Sequence, residues 1–131
     1  MILADTSVWV DHFRNDNTPG ARRLARALDE GEDVCICGVV LTEVLQGIRN
    51  ARQRRAVRGA LDALIYLLAP RNAYCVAADL FQAAQGRGRP VRSTIDCIIA
   101  AIALEHDAAV LHRDRDYDTL AEVSGLRVVR A

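Results

Sequence analysis

Apolar residues in this chain fall into short continuous runs and helical stripes that alternate from end to end. Residues 1–5 (MILAD) form an apolar run closed by an acid, the pattern of a short strand buried on both faces. Over residues 6–14, Val8, Trp9 and Phe13 recur at helical spacing, with Thr6 or Ser7 placed as the N-cap. Residues 15–20 (NDNTPG) read as a turn, and residues 21–31 as a second helix stopped by Gly31. Residues 33–37 (DVCIC) predict a second strand, residues 39–47 a helix that carries Glu43, and residues 50–63 an arginine-dense helix. Residues 64–69 (LIYLLA), ended by Pro70, fit either a third strand or the end of that helix, because so short an apolar run has no decisive period. An amphipathic helix follows over 73–85, then a Gly/Pro loop over 86–93 (GRGRPVRS). Residues 94–105 (TIDCIIAAIALE) are apolar on nearly every face beyond Asp96, which predicts a buried helix. A strand at 108–112, a short helix at 116–124 and a strand at 126–129 complete the pattern.

Strands that alternate with helices predict an α/β fold with a parallel sheet covered on both faces. The length, 131 residues, suits a single domain over 1–131, and neither a repeat nor a linker interrupts it. No run approaches the ~18 apolar residues of a membrane span. Residues 1–5 lack a basic leader region, so the cytosol is the expected compartment.

Charge adds a sharper constraint. Seventeen basic and seventeen acidic residues cancel, so the chain as a whole is not a basic nucleic-acid binder, although a local patch remains open. All of the basic residues are arginine. Without lysine there is no P-loop, no kinase-type phosphoryl transfer and no pyridoxal Schiff base, and a lysine-dependent acidic-pocket phosphatase is disfavoured. Cys35 and Cys37 lack the spacing of a redox or zinc motif and read as small core hydrophobes. His12, His106 and His112 have no second ligand at zinc spacing.

The acids carry the candidate chemistry. In a parallel α/β sheet, ligands bind outside the carboxyl ends of the strands. Asp5 ends the first strand, Asp114 and Asp116 follow the 108–112 strand, Asp96 opens the buried helix, and Glu43 lies a turn into the helix after the second strand. Each alone has an ordinary structural reading: Ser93-x-x-Asp96 resembles a capping box, Asp114 and Asp116 suit a helix start, Asp5 suits an Asx turn with Ser7, and Glu43 suits a solvated face. Together they place several carboxylates on one edge with no lysine to neutralise them. Oxygen-only donors of that kind suit Mg²⁺, with Mn²⁺ as substitute, rather than zinc.

Four segments, in order, resemble the PIN-domain family, and most closely its VapC toxin ribonucleases. Ile2-Leu3-Ala4-Asp5-Thr6-Ser7 is similar to the opening D-T-S/N signature, and Leu41-Thr42-Glu43-Val44-Leu45-Gln46-Gly47 to the helix that bears the conserved Glu. Thr94-Ile95-Asp96-Cys97-Ile98-Ile99-Ala100-Ala101 resembles the D-x-L-I-A-A helix. Leu111-His112-Arg113-Asp114-Arg115-Asp116-Tyr117 resembles T-x-D-x-D-F, with His112 for Thr and Tyr117 for Phe.

The resemblance implies a three-layer α/β/α sandwich around a mainly parallel sheet of four to five strands. It implies a homodimer, a VapB-like antitoxin that blocks the site, and a heterotetramer or larger complex with it. The implied activity is metal-dependent cleavage of structured RNA, transfer or ribosomal, leaving a 5′-phosphate and a 3′-hydroxyl. The implied catalytic acids are Asp5, Glu43, Asp96, Asp114 and Asp116, with Asp5, Asp96 and Asp114 on the metal and Thr6 and Ser7 orienting carboxylates. Arg87, Arg89 and Arg92, in the loop leading to Asp96, are the candidate RNA contacts. The run from Arg49 to Arg58 reads equally as phosphate contact or as a solvated, ion-paired face. Trp9 and Phe13, four apart, suit core packing or a groove for the antitoxin. Two other readings stand beside the toxin: a PIN-type nuclease of RNA processing, and a PIN-like interaction module that does not cut.

Overall fold

The computed structural model describes residues 1–129 and 131. Five strands, β1 (Ile2–Ala4), β2 (Val34–Cys37), β3 (Ile65–Leu67), β4 (Ala109–Leu111) and β5 (Val128–Val129), form one sheet in the order β3-β2-β1-β4-β5. Every pairing is parallel, with Leu3 opposite Cys35 on one side and Val110 on the other. Among the described residues, seven helices connect and cover the strands: α1 (Thr6–Phe13), α2 (Pro19–Asp29), α3 (Gly38–Gln46), α4 (Ala51–Asp62), α5 (Arg71–Gly86), α6 (Thr94–Glu105) and α7 (Arg115–Glu122). The architecture is the expected α/β/α sandwich.

The order of strands explains where a site can form. The chain builds outward from β1 through β2 to β3, then returns to lay β4 and β5 on the other side of β1. The reversal leaves a crevice at the carboxyl ends of β1 and β4, the usual ligand position in an open parallel sheet. Central strands are buried along their whole length, and Leu3, Cys35, Cys37, Val110 and Leu111 are fully enclosed. α6 is buried over Cys97 and Ile99–Ala103 and packs along α5, as its nearly continuous apolar character requires.

Local chemistry moved several boundaries. α2 starts at Pro19 rather than Ala21, with Thr18 as N-cap: its hydroxyl accepts from Ala21 N at 3.2 Å, so the turn cluster already contains the helix start. α2 ends at Asp29, two residues before Gly31, whose φ of +72° supplies the left-handed turn. The 64–69 run resolves as strand β3, paired to β2 from Cys35–Ile65 to Cys37–Leu67. α5 extends through Gly86, so the loop before α6 begins at Arg87. Of the cysteines, Cys35, Cys37 and Cys97 are buried and Cys75 is exposed. Burial pushes the Cys35 thiol up to about 11, as expected of a small apolar core residue.

Candidate active site

Asp5 stands at the exit of β1 and is the N-cap residue of α1, not Thr6 or Ser7. Its backbone does the work of the cap, with Asp5 O accepting from Val8 N and Trp9 N. Its side chain makes no capping bond. An aspartate at this position ordinarily caps its own helix. Here the carboxylate turns instead into the crevice, where it is 8% exposed. Ser7 Oγ donates to Oδ2 at 3.2 Å, and the Tyr117 hydroxyl donates to Oδ1 at 2.8 Å.

Asp96 enters from α6. Ser93 is the N-cap and its hydroxyl accepts from Asp96 N at 3.3 Å, which fixes the first turn and aims the carboxylate at the same crevice. The Tyr117 hydroxyl lies 3.2 Å from Asp96 Oδ1. Burial is the main cause that pushes the Asp96 carboxyl up to about 7; Asp5, Asp114 and Asp116 add repulsion, and the Tyr117 hydrogen bond partly opposes it.

Asp114 follows β4 and caps α7, its Oδ1 accepting from Asp116 N at 3.0 Å. Asp116, 7% exposed, accepts at Oδ2 from Arg92 N at 3.3 Å. Oxygens of Asp96, Asp114 and Asp116 lie within 4.8 Å of one another. Asp5 joins them through Tyr117. Glu43, from α3, is tied in from the side: Thr6 Oγ1 donates to its Oε1 at 2.7 Å. Thr6 and Ser7 thus hold one carboxylate each.

The expectation that no cation offsets these acids is modified by Arg92. Its guanidinium lies 3.8 Å from Asp114 and 3.7 Å from Asp116, although it is largely exposed. Arg113 and Arg115 also line the opening beside Asp5 and Asp114, so arginines rim the convergent carboxylates. The donor set, oxygen only and within a few ångströms, fits a hard divalent cation such as Mg²⁺.

The arginines sort by environment. Arg89 is committed to Glu122 by two hydrogen bonds of 2.9 and 2.7 Å, while Arg87 caps α5 and is exposed. In the 49–58 run, Arg54 donates to Ile48 O at 2.8 Å, closing the end of α3, and Arg58 approaches Asp62 at 4.0 Å. Those two follow the structural reading; Arg49, Arg52 and Arg55 point to solvent. Trp9 is core, 2% exposed and stacked on Phe13 at 5.7 Å. Phe13 also lines a groove of about 360 Å³ with Val10, Val44, Ile48 and Gln53.

Sequence reasoning missed two residues. The Tyr117 hydroxyl, wholly buried at the centre of the acids, was hidden behind a ring that reads as core. Arg113 donates to the buried Asp11 at 2.8 Å, and Asp11 also accepts from Thr18 at 3.1 Å. This link ties α1 and the start of α2 to the segment that carries Asp114. Only the surplus of arginine around Asp114 hinted at it.

A parallel sheet with a convergent carboxylate crevice at its switch point defines the class: an α/β protein whose acids gather at the carboxyl ends of its strands. The PIN domain model matches residues 2–123, and the chain belongs to the PIN domain family. It is 33% identical over 129 residues to VapC ribonuclease Mb1587 of Mycobacterium bovis, covering 97% of this chain and 96% of that one. The same figures hold for ribonuclease VapC11 of Mycobacterium tuberculosis. Its fold is similar to that in the crystal structure of VapBC2 from Rickettsia felis bound to a promoter DNA fragment, with TM-score 0.77, 16% identity and 98% of each chain covered. Among the described residues, no helix is long and apolar enough to cross a membrane.

Proposed function

We propose that the chain is the toxin of a VapBC-type pair: a Mg²⁺-dependent endoribonuclease that cleaves structured RNA and is held inactive by a VapB-like antitoxin. The relatives with nearly full mutual coverage carry the name ribonuclease VapC, which supports endoribonuclease activity. The toxin–antitoxin complexes of similar fold support the antitoxin partner. The observation that carries the metal dependence is the crevice, where acids from the end of β1, α6 and the β4–α7 turn converge and where Asp96, pushed up to about 7 chiefly by burial, is further repelled by its acidic neighbours.

In this reading Asp5, Asp96 and Asp114 hold the cation, with Asp116 beside them and Glu43 acting from the α3 side. A bound divalent cation supplies Lewis-acid stabilisation of the phosphate oxygens and a more acidic water. The chain's own groups do the rest. Ser7 and Tyr117 hold Asp5, and Thr6 holds Glu43. The Ser93 cap keeps α6, and so Asp96, aimed at the crevice. Arg92, exposed at its tip and beside Asp114 and Asp116, would be placed to contact an RNA phosphate at the site. Arg87 and Arg89 extend that basic rim, Arg89 at the cost of its Glu122 pair. The partner's site belongs to the other face of α1 and α3, along the Phe13 groove. A homodimer that assembles with antitoxin into a heterotetramer or larger complex completes the proposal.

The test is expression of the chain alone and together with any small reading frame found to overlap or abut its own. Growth arrest that needs Asp5 and is relieved by the adjoining product supports the toxin. Arrest-free expression of folded protein sends the assignment to an RNA-processing nuclease.

A further inference from the structure

Tyr117 lies outside the acid set, yet its hydroxyl occupies the middle of it. The ring is fully buried on α7, packed against the His112 imidazole at 4.9 Å between centroids. The hydroxyl reaches Asp5 Oδ1 at 2.8 Å and Asp96 Oδ1 at 3.2 Å, joining residues from β1 and α6 that are otherwise far apart in the chain. A phenol has one proton to donate. The shorter contact gives it to Asp5. Asp5 then has a donor on each oxygen, Tyr117 on Oδ1 and Ser7, at a longer 3.2 Å, on Oδ2. The longer Ser7 contact leaves Oδ2 the less tightly held of the two oxygens. Asp96, left with the lesser share of one proton, is the acid most relieved by a cation.

We propose that Tyr117 is a positioning residue that locks the Asp5 carboxylate in a one-oxygen metal-binding orientation and spaces it from Asp96. The assignment rests on the metal-dependent reading above. Loss of an orienting partner of this kind typically costs 10–100-fold in metal affinity or activity. Tyr117→Phe removes the hydroxyl and keeps the ring; Tyr117→Leu removes both.

The experiment is calorimetric titration of Mn²⁺ into wild type and Tyr117→Phe, with melting curves of both, followed by kcat and KM for RNA cleavage. The expected result is Mn²⁺ binding weakened at least tenfold and kcat lowered at unchanged KM, in a chain that stays folded. Equal Mn²⁺ affinity in the two proteins overturns the assignment and leaves the metal reading intact. A wild type that binds no Mn²⁺ overturns both. A second arm needs no variant: with 3-fluorotyrosine in the wild-type chain, the ¹⁹F signal of Tyr117 moves through a Mg²⁺ titration with the midpoint of catalysis. The half-exposed Tyr66 and Tyr74 signals stay in place. A Tyr117 signal that is static to saturation overturns the proposal.

Discussion

The residue that reports most directly on the crevice is Asp96. A carboxyl whose pKa is raised in the folded chain binds its proton more tightly there than in the unfolded chain. Its contribution to stability is therefore complete below the ordinary value of 3.8 and is lost as pH rises through about 7. In EDTA, the melting temperature is expected to fall between pH 5 and pH 8. Asp96→Asn is expected to flatten that fall and to melt higher than wild type at pH 8, by roughly 4 °C if about 1 kcal/mol of repulsion is relieved. Thermal melts of the two proteins across that range check it, and parallel curves would remove Asp96 as the source. At this scale the sequence was partly legible. Each acid was visible because it broke an apolar run or followed one at a strand end. The Tyr117 hydroxyl and the Arg113–Asp11 pair were not, since each depends on residues more than a hundred positions apart meeting in space.

At the level of elements, the strands other than β3 needed only their apolar runs to be read, whereas helix ends needed side-chain geometry. Thr18 illustrates the difference. Within a turn-like cluster its capping role is indistinguishable from that of its polar neighbours, yet its hydroxyl both caps α2 and donates to the buried Asp11. Thr18→Ala removes both bonds at once. The expected loss is about 1–2 kcal/mol, read from urea unfolding, with the larger part of the range reflecting the buried acid left with Arg113 alone. A loss below the error of the measurement would mean that water replaces the threonine without cost. β3 was ambiguous for a different reason. Ile65 and Tyr66 are exposed on the sheet edge, so neither a strand alternation nor a helical stripe marks the segment. Pairing with β2 decided it, and pairing is not local information.

Across the whole molecule, zero net charge conceals a division of labour. Acids gather at the carboxyl ends of β1 and β4, and arginines ring that edge from Arg89 through Arg92 to Arg113 and Arg115. Alternation of strands and helices carried the fold, and the fold's switch point carried the position of the site. What distance along the chain concealed was the pairing of acids with remote holders: Thr6 with Glu43, Tyr117 with Asp5, and Arg92 with Asp114 and Asp116. The central claim joins these parts: the convergent acids cleave RNA and require a divalent cation to do so. Its most direct test is incubation of total cellular RNA with purified, antitoxin-free protein in Mg²⁺ and in EDTA, with folded Asp5→Asn in parallel. The account predicts discrete fragments in Mg²⁺ with wild type alone, and at least a hundredfold less cleavage in EDTA or with Asp5→Asn, as loss of a metal-held charge on phosphate implies. Cleavage that persists in EDTA, or with Asp5→Asn, would contradict it.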